Sequence, residues 1–191
     1  DSIALDGDLN LNNQAEKFAH VNTYHIYYNE TTGRWASAFP FGLALLLTPF
    51  YWLGALFDQL PAFRINGAHF IGIQGVRFAY TLFSMLGVNL YALATLILGY
   101  ALARRWAGRW IAAAATIAVY LGTPLLFYAT VDPINSHIAC AFSASLLVFL
   151  WLRARDKMGA HTGQTAARAA LPWVGVGLAA GLTALCRWQV A

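Results

Sequence analysis

The residues best suited to chemistry stand at the head of the chain. The stretch Asp1-Ser2-Ile3-Ala4-Leu5-Asp6-Gly7-Asp8-Leu9-Asn10-Leu11-Asn12-Asn13 holds three of the eight acidic residues and three asparagines. A carboxylate held beside a hydroxyl can act as a general base, so Asp8, Asp6 and Asp1 are the candidate catalytic residues. Side-chain oxygens at Asp6, Asp8, Asn10 and Asn12 also resemble the first half of a calcium loop. Leu11 in place of the loop's glycine and Lys17 in place of its closing glutamate argue against that reading. No cofactor is demanded, and a divalent cation on these oxygens is the one metal the residues leave open. The competing reading of Asp8 is a turn held by Asx hydrogen bonds.

Cations and polar groups that could meet an anionic substrate lie further along. Arg187 is the one charged residue within 171–191. An ionisable group inside an apolar helix is costly and generally has a partner; the bland alternative is snorkelling to headgroups. Asp132 and His137 flank Pro133, and His137 could bind a phosphate or orient a carboxylate. The alternative there is a helix break with Ser136 capping the next helix. Arg77 heads an apolar segment, Arg34 closes the turn Thr31-Thr32-Gly33-Arg34, and Asn12 belongs to the head stretch. Arg187, His137, Asp132, Arg77, Asn12 and Arg34 are the candidate substrate-binding residues. Cys140 and Cys186 sit in apolar blocks and read as small buried hydrophobes. The sequon Asn29-Glu30-Thr31 has little weight alone. No phosphate-binding glycine loop, metal cluster or nucleophile elbow is present.

The elements that must position these groups are apolar. The composition is 59% hydrophobic and 10% charged, against about 25% charged in soluble domains. The net charge of +4 is not a nucleic-acid footprint, because the basic residues cluster beside apolar blocks, as loop charge does in membrane proteins. The expected fold is all-α, a polytopic transmembrane helical bundle with an outer juxtamembrane loop and an interface helix. Residues 1–40 form a first extracytoplasmic loop. Residues 41–57 form a juxtamembrane or re-entrant helix, entered at Pro40 and interrupted at Pro49. Residues 58–191 form a transmembrane module with a loop over 58–76 and spans at 78–103, 110–131, 137–152 and 171–191. Gly175, Gly177 and Gly181 suit close helix contact in lipid. The start at Asp1 without a methionine, and the stop at Ala191 inside an apolar block, lead us to expect an excerpt of a longer chain with a span before Asp1.

Loop charge sets the topology. The clusters at 104–109 and 153–157 should face the cytoplasm, which puts Asp132–Ser136 outside, and 58–77 and the head loop with it. Residues 41–57 then begin and end on one side, so they lie in or dip into the outer interface. Arg187, about 22 Å up the last span, reaches the same outer face. Asp6, Asp8, Arg34, Arg77, Asp132, His137 and Arg187 are thereby expected at one level.

The ordered motifs resemble the GT-C superfamily of membrane glycosyltransferases, in particular the bacterial mannosyltransferase and aminoarabinose-transferase type. The resemblance rests on Asp6-Gly7-Asp8-Leu9 with Asn12-Asn13, then Phe39-Pro40-Phe41-Gly42 leading to Thr48-Pro49-Phe50, and Arg77 and Arg104-Arg105 at the two ends of a span. It continues through Gly122-Thr123-Pro124 with Tyr128 and Asp132-Pro133 to Gly181–Arg187. It covers nearly the whole chain; Phe41 and Ala38 depart from the Pro and basic residue usual in relatives. It implies inverting transfer of a sugar from a polyprenyl-phosphate donor to a lipid, glycan or protein acceptor. The setting it implies is the outer face of a bacterial inner or plasma membrane, with membrane lipids as partners and no nucleic acid. It also implies a catalytic aspartate early in the first outer loop, which is Asp1, Asp6 or Asp8 or lies upstream; without that base the excerpt would be inactive alone. The rival readings are a transporter or flippase subunit, which would use the same polar level for binding without chemistry, and a non-catalytic scaffold.

Overall fold

A computed structural model describes residues 2–18, 26–37, 41–63, 77–133, 135–160 and 166–187. The described residues are mostly helical, in line with the all-α expectation. The chain divides into two compact units, Asp1–Gly87 and Val88–Ala191.

The first unit opens with a wide helical turn, Ser2–Asp6, followed by helix α1 (Asn12–Phe18). Strands β1 (Ile26–Asn29) and β2 (Arg34–Ser37) form an antiparallel ribbon with Asn29 opposite Arg34. The ribbon is an addition to the expected loop: its turn is where Thr31–Gly33 predicted one, but Arg34 is the first residue of β2. Gly33 takes φ +63°, and the Asn29 side chain accepts from the Thr31 and Thr32 amides. These two devices satisfy the backbone of the reversal.

Helix α2 (Gly42–Phe57) runs unbroken through Pro49, which corrects the expected interruption. The proline removes one intrahelical bond, but the turns on either side persist, and one face of α2 is held against helix α3 (Phe78–Ala103). Gly54 lies against the Ala79–Tyr80 backbone, while Phe50 and Leu47 reach Gly87. Tyr51 meets Tyr80 at 4.6 Å and Phe57 meets Phe83 at 4.7 Å between ring centroids. Residues 47, 50, 51, 54 and 57 form one helical stripe, the spacing that packing on a neighbour needs.

The second unit holds the rest of α3 and helices α4 (Arg109–Gly122), α5 (Leu125–Thr130), α6 (Ser136–Ala160) and α7 (Ala166–Cys186). The block expected as one span over 110–131 is two helices. Thr123 is extended at φ −121° and ψ 165°, and Pro124, at φ −60°, heads α5. The residue before a proline is driven out of the helical region, and that places the break at Thr123. Helix α6 continues past the expected end at 152, so Arg153, Arg155, Asp156 and Lys157 are helical. Helices α6 and α7 run antiparallel: His137 at the start of α6 meets Arg187 just past α7, and further along Gly175 faces Leu150. The contact face of α7 is small and hydroxylic, with Ala179, Thr183 and Cys186 buried. Thr183 Oγ1 donates back to the Ala179 carbonyl at 2.8 Å, so the buried hydroxyl costs no unpaired donor.

Large apolar side chains face outward on several helices. Along α3 the buried positions are Ala79, Ser84, Gly87, Val88, Ala92 and Thr95, while Leu86, Leu90, Leu93 and Ile97 are exposed. On α7, Leu171 and Leu178 are 72% and 71% exposed. A water-soluble helix has the reverse pattern. Among the described residues two helices, Phe78–Ala103 and Ser136–Met158, are long and apolar enough to cross a membrane. Gly42–Phe57, Arg109–Gly122 and Ala170–Cys186 are apolar but shorter.

Candidate functional site

The head carboxylates sit in a compact polar knot of the first unit. Gly7, at φ +71°, turns the chain back so that the Asp8 amide donates to the Ser2 carbonyl at 3.1 Å. Only glycine takes that left-handed conformation at little cost. Ser2 Oγ donates to the Asn10 carbonyl at 3.0 Å. Asp8 Oδ1 accepts from the Asn10 amide at 3.0 Å, and Asn10 Oδ1 accepts from the Asn12 amide at 3.1 Å. The every-second-residue oxygens are therefore consecutive Asx turns leading into α1. Asn13 Nδ2 donates to Asp6 Oδ2 at 3.0 Å, and Asn12 Oδ1 accepts from the Trp35 amide of β2 at 3.4 Å. Trp52 Nε1 of α2 donates to the Ala4 carbonyl at 2.6 Å. The knot is thus tied to both the ribbon and α2, while Asp6 and Asp8 remain exposed to solvent. Asp1 lies outside the described residues. Among the described residues no three His, Cys, Asp or Glu side chains gather in a way that could hold a metal ion.

Arg77 pairs with Asp58 within the same unit. The carboxylate is 5% exposed and the guanidinium 59%. The hydrogen bond, and after it the charge attraction, push the Arg77 guanidinium up from its already high range. The pair links the end of α2 to the start of α3. Arg34, on β2, is exposed.

His137, Asp132 and Arg187 come together in the second unit. Arg187 Nη1 lies 2.9 Å from His137 Nδ1. A guanidinium only donates, so Nδ1 must accept, and the imidazole in this arrangement is neutral with its proton on Nε2. Tyr128 of α5 stacks ring on ring with His137 at 3.8 Å and 19° between planes. Asn135 Nδ2 donates to Asp132 Oδ2 at 3.2 Å. The break at Thr123-Pro124 is what makes this possible, because it starts α5 separately and lets Tyr128 lie over the first turn of α6. The cluster is half-buried at His137, Tyr128 and Arg187 and exposed at Asp132. It offers a fixed guanidinium, an imidazole N–H and an aromatic face, which suits an oxyanion attached to a ring or chain.

Three residues here escaped the sequence reading as site residues. Tyr128 was visible only as part of a motif, and its spacing from His137 carries no contact signal. Asn135 sits in the polar break and could have been read as a partner of Asp132. Asp58 looked like an ordinary loop acid. Comparison of the chain with protein-family models, with curated proteins and with solved structures returns no match.

Proposed function

We propose that the protein is a multi-pass membrane glycosyltransferase of the GT-C type, moving a sugar from a polyprenyl-phosphate donor to a lipid, glycan or protein acceptor. The carrying observation is the Arg187–His137 pair under Tyr128. The Arg187 guanidinium and the His137 Nε2–H are both donors, and an anionic lipid phosphate presents the oxygens that such donors bind. The outward-facing leucines of α3 and α7 support the membrane setting. So does α6: from His137 to Asp156 it measures about 28 Å, close to the ~30 Å of a hydrocarbon core. Loop charge supports the orientation proposed here, with the pair toward the outer face of a bacterial inner or plasma membrane, the basic cluster toward the cytoplasm and α2 as the juxtamembrane helix.

In the reaction that the GT-C resemblance implies, a first-loop carboxylate takes the proton of the acceptor hydroxyl, a role for which Asp8 and Asp6 are the candidates. The hydroxyl oxygen attacks the anomeric carbon from the face opposite the phosphate, so the configuration inverts. The bond from that carbon to the phosphate oxygen breaks, and its electron pair stays on the phosphate. Arg187, a cation that keeps its charge in a dry setting, stabilises that growing charge; the His137 Nε2–H is a second donor.

The test is transfer from a radiolabelled polyprenyl-phosphate sugar in membranes carrying the protein. Arg187→Lys keeps charge without the fork and should lose about tenfold; Arg187→Met should lose about 10²–10³-fold, the range for a missing oxyanion donor. Near-normal transfer by a folded Arg187→Met protein would remove the phosphate role. Movement of the lipid-linked sugar across the bilayer without cleavage would replace the enzyme with a transporter.

A further inference from the structure

The opposite end of the second unit is built as carefully as the His137–Arg187 end, and the transfer reaction makes no use of it. The turn between α3 and α4 carries Arg104, Arg105 and Arg109; the last turns of α6 carry Arg153, Arg155 and Lys157. Arg105 Nη2 and Asp156 Oδ2, 2.6 Å apart, join the two groups into one surface. Asp156 also lies 3.8 Å from Arg155, and it is the one acid among these cations. One carboxylate cannot neutralise six cations, so the surface is strongly positive.

Four of the guanidiniums lie over aromatic rings. Arg109 sits 4.9 Å from the Trp110 ring centroid, Arg153 5.2 Å from Phe149, Arg155 5.3 Å from Trp151 and Arg105 5.9 Å from Trp106. On α6 these are i, i−4 pairs, which follow from helix side chains leaning toward the N-terminus. Trp106 and Trp110 are 73% and 74% exposed. Two bare indoles are poorly placed in water, but they suit the headgroup level of a bilayer, where the ring meets acyl chains and the N–H stays wet. Stacking also restrains each arginine, so less side-chain freedom is lost when it grips an anion. A guanidinium fork matches a phosphate diester oxygen pair.

We infer that this end is a docking surface for anionic phospholipids. Arg109 and Arg155 hold the headgroup phosphates, and Trp106 and Trp110 set their rings at the roots of the acyl chains. The inference rests on the membrane reading above, and charge complementarity selects an anionic over a zwitterionic lipid, whose own cation would meet this surface unfavourably.

The experiment begins with alkaline extraction of membranes carrying the protein, followed by reconstitution into phosphatidylcholine bilayers with trace spin-labelled phosphatidylglycerol or phosphatidylcholine. The motionally restricted fraction of each label gives its relative association with the protein. Phosphatidylglycerol should be favoured about fivefold at low salt, the effect of roughly one well-placed arginine at a charged surface. The preference should fall toward one in Arg109→Gln/Arg155→Gln and in 1 M salt (~3 Å screening length), and Arg109→Lys/Arg155→Lys should keep at least half of it. Asp156 keeps Arg105 in these variants, so the junction of the two groups is spared. Release of the protein by alkali would overturn the membrane reading and this inference with it. Retention in the membrane with equal association of the two lipids would overturn this inference alone, as would a preference that the glutamine variants leave unchanged.

Discussion

Replacing Gly54 by alanine tests how α2 is held on α3. A Cβ at Gly54 would lie 2.8 Å from Tyr80 Cα and 3.2 Å from both the Ala79 carbonyl oxygen and the Tyr80 nitrogen. Carbon atoms rest about 3.5–4.0 Å apart, so the two helices must separate by about 1 Å. The obstacle is backbone and cannot rotate aside, and the ring contacts Tyr51–Tyr80 and Phe57–Phe83 loosen with it. Overpacking of this kind costs about 1–3 kcal/mol, against about 1 kcal/mol that alanine gains in helix propensity. The expected net loss is up to about 2 kcal/mol, which is about 1–3 kcal/mol worse than an unhindered Gly→Ala change, and leucine should cost more. Gly177→Ala is the control, since a Cβ there meets nothing within 4 Å; it should be neutral or gain up to about 1 kcal/mol. Thermal unfolding of the purified protein in detergent, followed by far-ultraviolet circular dichroism and tryptophan fluorescence, gives the order of midpoints. A Gly54→Ala midpoint equal to or above that of Gly177→Ala would refute the close approach.

Asp8→Asn keeps the Oδ1 that accepts from the Asn10 amide, so it should fold normally; if Asp8 is the base, transfer drops by about 10²–10⁴-fold, and the same measurement on Asp6→Asn assigns the role between the two. Arg77→Met leaves the buried Asp58 carboxylate without its cation, whereas Asp58→Asn removes the charge that needs one; the first should therefore lower the thermal midpoint more than the second, and equal shifts would deny the pair its part in holding α2 to α3. Cysteines placed at Ser37 and Leu60, with Cys140 and Cys186 replaced by alanine, should both react with an impermeant reagent from outside, and labelling from opposite sides would make α2 a span.

The sequence by itself carried what depends on composition and local geometry. Leucine and alanine are strong helix formers, so long blocks rich in both favour helices, and the segments around α3 and α6 were legible for that reason. The turn at Gly33 and the Asx reading of Asp8 were legible too, since both involve neighbours in the chain. Local rules were less reliable about strength: Pro49 was expected to interrupt α2 and did not, whereas Pro124 divided the 110–131 block at Thr123.

Contacts between distant residues were decided only by the tertiary structure. The glycines that looked suited to close helix contact were Gly175, Gly177 and Gly181, yet a Cβ at Gly177 or Gly181 would meet nothing within 4 Å, and the tight approaches are at Gly54 and Gly87. A glycine's spacing records that a helix could be approached, while the facing residue is set by how the helices cross. Arg187 was singled out because an isolated charge in an apolar block is conspicuous, but its meeting with His137, fifty residues earlier, needed the antiparallel alignment of α6 and α7. The stacking of Tyr128 on His137 and the burial of Asp58 beneath Arg77 needed two elements each to arrive at one place. Sequence shows which groups demand a partner; the chain's path through space determines which partner is within reach.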